Sequence, residues 1–197
     1  MLSALISRDG GELLFDGITP DDPTQIRNAM QDPEADVVIV SGGSSVGQED
    51  HAPRILAELG ELAIHGVAMR PSSPTGMGRI GERLVFLLPG NPVSCLCAYD
   101  FFAGRVIRLR GGRVARWPYP RSVGTLSRKL PSIVGRQDYA RVLLHSDGDA
   151  TQIEPIAISG ASVLSSTSRA DGFVVIPAES EGYPAGTEVE FFLYDVP

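Results

Sequence analysis

The sequence predicts an α/β fold, a mostly parallel sheet with flanking helices, followed by a small all-β domain. Three features carry that expectation. The β-branched run Asp36-Val-Val-Ile-Val-Ser41 leads straight into a glycine- and serine-rich loop and then a helix, which is how a strand–loop–helix unit reads. The succession recurs where Arg83–Leu88 meets Pro89-Gly-Asn-Pro92 and a helix opening at Val93. Beyond Gly111-Gly112 the helical spacing stops, and short alternating segments separated by turn residues take over. The boundaries fall at 1–112 for the α/β domain, 113–120 for a linker and 121–197 for the β domain.

Residues 1–9 space Leu2, Leu5 and Ile6 as a helix ended by Gly10-Gly11. Glu12–Phe15 reads as a short strand, and Gly17–Pro23 turns the chain. Asp22 is placed to cap a helix that has Pro23 at its first position and Ile26, Ala29 and Met30 on its apolar face. The run 36–41 is apolar enough for a strand buried on both faces. A helix follows from about Ala52 to Gly60, then a short strand at Val67–Met69 and a turn at Arg70–Pro74. Gly76–Ile80 and Arg83–Leu88 read as strands around Gly81-Glu82, and a helix runs from Val93 to about Arg110. The β domain takes strands at Ser122–Leu126, Tyr139–His145, Gln152–Pro155, Gly172–Ile176 and Glu188–Tyr194.

The chain has 197 residues and a formal net charge of −7, and Lys129 is its sole lysine. Nucleic acid and anionic membrane surfaces, which need a positive face, are therefore not expected partners. Any oxyanion site must use arginine forks, hydroxyls and backbone N–H groups. Cys95 and Cys97 lie two apart in an apolar helix, where their side chains diverge, so they read as reduced core thiols. Reduced cysteines and the lack of a signal or spanning segment point to a cytoplasmic protein.

Two loops have the character of ligand loops, because α/β sheets bind beyond the carboxyl ends of their strands. In Ser41–Asp50, Gly42, Gly43 and Gly47 let backbone N–H groups approach an anion, and Ser44 and Ser45 add hydroxyls. Asp50 closes that loop, able to cap the next helix or hold a hydrated divalent cation. In Leu88–Ser94, Pro89 and Pro92 stiffen the turn, Gly90 frees the backbone, and Asn91 offers donor and acceptor. Ser94 sits where a helix macrodipole favours a negative ligand.

The order of Asp21-Asp22, Ser41–Asp50, Arg70-Pro-Ser-Ser-Pro74, Leu88-Pro-Gly-Asn-Pro-Val-Ser94 and Gly135-Arg-Gln-Asp-Tyr-Ala-Arg141 resembles the MoeA-type molybdopterin molybdenumtransferases, the gephyrin E-domain family. The resemblance runs along nearly the whole chain. It implies a MogA/MoaB-like α/β domain, joined late in its course, with the family's two N-terminal domains and first sheet strand lacking.

The activity implied is insertion of molybdenum from molybdate into adenylylated molybdopterin with release of AMP, supported by Mg2+. By resemblance Asp21 and Asp50 are acids near the cation and phosphates, and Arg70 keeps the first charge of a Lys-Pro-Gly-Lys-Pro turn. Gly42, Gly43, Ser44, Ser45, Gly47, Pro89, Gly90, Asn91, Pro92 and Ser94 fall on substrate loops. Arg141 falls on a basic residue reaching in from the β domain, and Ser162 neighbours the position of a family serine near that oxyanion site. Ser73 and Gly66 stand where family members carry lysine, and Ala161 where many carry serine. Two other readings follow: a non-catalytic scaffold of the same fold, or a protein like the molybdopterin adenylyltransferases. Family members are dimers, and the apolar Leu2, Leu5, Ile6 stripe and Leu13-Leu14-Phe15 predict self-association.

Overall fold

The computed structural model describes residues 1–15, 17–43, 51–147, 150–157 and 167–194. The chain divides into two compact units, one formed by 1–67 with 72–117, the other by 68–71 with 118–197.

The first unit opens with α1 (Leu2–Asp9) and α2 (Pro23–Met30). Asp22 caps α2 by accepting the Gln25 N–H at 2.9 Å, and Pro23 starts the helix where its missing donor costs nothing. The sheet is built from β1 (Val37–Ser41), β2 (Glu61–His65), β4 (Gly76–Ile80) and β5 (Arg83–Leu88), with α3 (His51–Leu59) leading into β2. Its order is β1-β5-β4-β2. Only β1 and β5 run parallel. The β4–β5 pair is a hairpin through Gly81-Glu82, and β2 lies antiparallel to β4. This corrects the expectation of a mostly parallel sheet. Two strands joined by a two-residue turn must run in opposite directions.

Period-two alternation decides which helices cover which face. Phe86 and Leu88 of β5, with Val37 and Ile39 of β1, pack under Cys95, Ala98, Tyr99 and Ile107. Val85 and Leu87, with Val38 and Val40, pack against Met30, Ala52, Ile55 and Leu56 on the other face. Leu2, Leu5 and Ile6, each partly buried, pack on the first of these clusters. The expected strand at Glu12–Phe15 does not form. Leu13, Leu14 and Phe15 lie exposed in an irregular segment, Phe15 at 63%. That stretch has the propensity for a strand but no neighbour to pair with.

The helix expected from Val93 to Arg110 has that extent, in three parts. These are α4 (Pro92–Ala98), a π-helical turn at Tyr99–Ala103, and α5 (Gly104–Arg110). The wide turn faces α1, and adjacent residues both reach it. The Tyr99 hydroxyl donates to Asp9 at 3.1 Å, while Asp100 accepts from Arg8 at 3.1 Å. Arg8 and Arg108 also pair with buried Asp9. Burial, with Asp9 as the next cause, pushes the Tyr99 phenol far above its ordinary range. Trp117 closes the unit: its indole N–H donates to the Asp100 carbonyl at 2.8 Å and its ring meets Phe101 edge-on.

The second unit is a closed five-stranded barrel. Its strands are β6 (Arg121–Leu126), β8 (Gln137–Asp147), β9 (Ala150–Ala157), β10 (Gly172–Ile176) and β12 (Glu188–Leu193). Pairings β10-β12-β6-β9-β8 are completed by β8 with β10, which closes the sheet and leaves the start of β8 open on one side. Leu126, Leu130, Val142, Ile153, Ile176 and Phe191 are among the residues that fill it. Tyr119, Tyr139, Phe173, Phe192 and Tyr194 make a separate aromatic cluster, with Phe173 stacked on Tyr139 at 4.3 Å. Three strands were not legible in the sequence: β2 in the first unit, and β7 (Leu130–Pro131) and β11 (Gly182–Tyr183), which pair with each other. The strand expected at Val67–Met69 appears as β3 (Met69–Arg70). It joins the barrel, parallel to β8, rather than the first unit's sheet.

Candidate functional site

In the first unit, the parallel β1–β5 pair brings two of the predicted loops to one sheet edge. Ser41 is in register with Leu88, so Gly42-Gly43 and Pro89–Ser94 leave the sheet side by side. The Gly42 N–H donates to the Leu88 carbonyl at 3.0 Å. A Cβ on Gly90 would lie 3.3 Å from the Gly42 Cα, so the two backbones approach closely enough to favour glycine. Asn91 begins α4 in extended conformation, and Pro92 takes its first position. The Asn91 side chain is exposed and makes no capping bond, so its amide remains available to a ligand. Ser94 is buried one turn in, and its carbonyl accepts the Ser72 hydroxyl at 2.6 Å.

Ser41 and Cys95 lie 3.4 Å apart, hydroxyl to thiol. Burial pushes the Cys95 thiol above its ordinary range, outweighing the opposing effect of the Ser41 contact. Cys95 is thus an inert core thiol, and Cys97 is a buried thiol outside any disulfide. Asp21 is exposed in the turn before α2. Ser44, Ser45, Gly47, Asp50 and Ser162 lie outside the described residues. Among the described residues no three His, Cys, Asp or Glu side chains gather as a metal site.

In the second unit, β3 sets Arg70 opposite Asp138 in register. Asp138 is fully buried, at 0% exposure. Its Oδ2 accepts from Arg70 at 2.6 Å and from the Ser132 hydroxyl at 2.9 Å, and its Oδ1 accepts from Arg136 Nε at 2.9 Å. Arg141 is 1% exposed within the same unit, three residues further along β8. Its burial makes it a packing residue as well as a charge. Arg70 and Arg141, expected from different domains, thus belong to one unit. Ser132, Arg136 and Asp138 were not picked out from the sequence. Nothing in the string Gly135–Arg141 indicates that position 138 is buried.

Residues 1–108 match the family model described as "Probable molybdopterin binding domain", and residues 123–194 match the MoeA C-terminal region, domain IV. The chain belongs to this molybdopterin-binding family. It is 34% identical over 185 residues to molybdopterin molybdenumtransferase 1 of Mycobacterium tuberculosis, covering 88% of this chain and 43% of that protein. A molybdopterin biosynthesis protein of Methanocaldococcus jannaschii is 32% identical over 195 residues, covering 98% of this chain and 46% of that one. The chain thus spans a little under half the length of these curated relatives. Among solved structures, a MoeA protein of a Pyrococcus species superposes with a TM-score of 0.77 at 33% identity, over 99% of this chain and 47% of that one. A molybdenum cofactor biosynthesis protein of Pyrococcus furiosus gives 0.78 at 30% identity, over 98% and 63%. No helix among the described residues is long and apolar enough to cross a membrane.

Proposed function

We propose that this chain acts in molybdenum cofactor assembly, as the part of a molybdopterin molybdenumtransferase that holds the pterin nucleotide. The observation that carries the reading is the convergence of Gly42-Gly43 with Pro89–Ser94 at the carboxyl edge of the β1–β5 pair. The close-set glycine backbones and the start of a helix suit the phosphates of an adenylylated pterin. Asn91, free of capping duty, suits the heterocycle, whose edge offers both donors and acceptors. Arginines on the barrel unit would receive molybdate, since a guanidinium matches an oxyanion in shape and charge. The reaction would leave molybdenum on the pterin dithiolene and release AMP.

Magnesium fits this reading through oxygen donors. Mg2+ is usually bound by one or two carboxylates together with substrate phosphates, so a set of three protein ligands is not required. Asp21 is exposed and can serve as one donor, and Asp50 would be the other. Bound there, the cation would offset phosphate charge. Ser44, Ser45, Gly47 and Ser162 complete the proposed substrate contacts. We place the protein in the cytoplasm and expect the whole assembly to be a homodimer. The match of residues 123–194 to the MoeA C-terminal region speaks for this reading over a free-standing adenylyltransferase.

Calorimetric titration of the chain with AMP and magnesium tests the nucleotide half of the proposal. Saturable binding that Asn91→Ala weakens is the expected result. Folded protein giving no heat would refute it. A molybdenum-insertion assay, with and without a polypeptide supplying the relatives' remaining length, separates an enzyme from a scaffold.

A further inference from the structure

The amino end of the first unit's sheet carries two lobes of opposite charge, side by side. Their placement follows from where the elements finish. Helix α5 runs back along β5 and ends beside the β4–β5 turn, where the Arg110 guanidinium donates to the Glu82 carbonyl at 3.1 Å. The connection from α2 into β1 reaches the same end. Arg83, the first residue of β5, donates to the Met30 and Ala35 carbonyls at 3.2 and 2.9 Å. The Leu84 N–H donates to the Asp36 carbonyl at 3.1 Å. The two ligand loops leave the sheet at its other end.

The lobe on the α5 side is basic. Between Phe101 and Trp117 stand Arg105, Arg108, Arg110, Arg113 and Arg116 and no acid, in a chain of net charge −7. Arg108 pairs with Asp9. Arg105, Arg110, Arg113 and Arg116 are exposed and make no ion pair among the described residues. Three of them donate to carbonyls instead, Arg105 to Ala115, Arg110 to Glu82 and Arg113 to Arg8. A neutral carbonyl fixes a guanidinium in place without cancelling its charge. Leu109 and Val114, 57% and 67% exposed, lie among these arginines. The lobe on the β1 side is acidic. Asp32, Glu34 and Asp36 stand there without a basic residue in 31–36, and Glu34 and Asp36 are exposed. None of the three makes an ion pair among the described residues. Exposed Glu82 lies between the lobes.

Two unpaired lobes of opposite sign on one surface are self-complementary. A half-turn about an axis between them lays each lobe of one copy on the opposite lobe of another. An extended polyanion such as nucleic acid would meet the carboxylates beside the arginines, which disfavours it. We propose that the amino end of this sheet is a docking surface for a second copy of this chain, in a two-fold arrangement. Arg110 and Arg113 of each copy face Glu34 and Asp36 of the other, with Leu109 and Val114 within the contact. The charges set register and speed the encounter, and the apolar pair supplies area that leaves water. The contact uses neither ligand loop and does not rest on the nucleotide reading.

The test is sedimentation equilibrium of the full chain over a concentration series, at about 0.05 M and about 0.5 M sodium chloride. The variants are Arg110→Glu with Arg113→Glu, and Glu34→Arg with Asp36→Arg, each checked for cooperative melting and studied alone and mixed in equal amounts. The parent should form a dimer whose dissociation constant rises at least about tenfold at the higher salt. Each variant alone should dimerise at least about tenfold more weakly, because like charges then meet at both contacts. The mixture should regain the parent's affinity, since both contacts of the mixed dimer again join opposite charges. A parent chain that stays monomeric at low salt would overturn the proposal. So would association that neither salt nor the variants weaken, which would assign it to the exposed Leu13–Phe15 segment. A mixture that stays monomeric would sink the reciprocal contact, and growth past the dimer would replace the two-fold with a head-to-tail chain. Loss of AMP binding by the parent would refute the nucleotide reading and leave this contact standing.

Discussion

The hydroxyl of Ser72 donates to the carbonyl of Ser94 at 2.6 Å, and Ser72 holds this bond from a backbone φ of 99°. It is the only non-glycine residue with positive φ among those described. The turn after Arg70 is thereby fastened to the helix that begins in the Leu88–Ser94 loop. Glycine adopts this conformation without strain. Here a serine tolerates the strain and gains a buried hydrogen bond.

Two substitutions at Ser72 separate those effects. Ser72→Ala keeps the strained backbone and loses the bond, and should cost about 1–2 kcal/mol in urea unfolding. Ser72→Gly loses the same bond but relieves the left-handed strain, so it should cost less than alanine. Equal or greater loss with glycine would show that the backbone there is not strained.

The sheet core should answer strongly and the irregular segment weakly. Leu87 is fully buried between β4 and the helices on its face, so Leu87→Ala should cost about 2–5 kcal/mol. Leu14 is exposed, and Leu14→Ala should stay within about 0.5 kcal/mol of the parent. Guanidinium unfolding of both variants gives the comparison, and a large effect at Leu14 would mean that segment packs in solution.

Asp9 ties three elements together by accepting from Arg8, Arg108 and Tyr99. Asp9→Ala takes the shared carboxylate from Arg108 and Tyr99 and leaves Arg8 with Asp100 alone, and should cost about 3–5 kcal/mol. Tyr99→Phe loses a single bond and should cost about 1 kcal/mol. If the two variants melt alike, the charges at Asp9 add nothing beyond the tyrosine contact.

Alkaline pH should destabilise the first unit. Burial raises the folded pKa of the Cys95 thiol from its ordinary 9.0, and burial with Asp9 raises that of the Tyr99 phenol from its ordinary 10.0. Both groups are neutral when protonated, so on unfolding each releases its proton more readily. The stability they lend is complete below those ordinary values and is lost as pH climbs above them. Urea midpoints measured from pH 8 upward should fall, and Cys95→Ala with Tyr99→Phe should fall less steeply. An unchanged slope in the double variant would place the alkaline transition elsewhere.

Much of this was open to reading in the chain itself. The Asp22-Pro23 helix start, the β1 and β5 strands, the long helix from the Pro89–Pro92 turn and the five barrel strands all follow from local rules. Caps, prolines and period-two or helical spacing act within a few residues, so their signal is written where they act. The turns that leave β1 and β5 were legible for the same reason, since glycine and proline set the backbone where they stand.

What the tertiary structure alone decided is pairing over distance. Glu12–Phe15 looked like a strand and found no neighbour, and Leu2, Leu5 and Ile6 looked open and found the core. The sheet became mixed because β2 pairs with β4, and residues 69–70 left the first unit because β8 offered them an edge. Strand partners are set by which hydrogen-bonding edges the whole chain leaves available, and no short window of sequence records that. Asp138 is the clearest case. In the sequence it is one acid between two arginines, and only the closure of the barrel buries it and makes it the anchor of both Arg70 and Arg136.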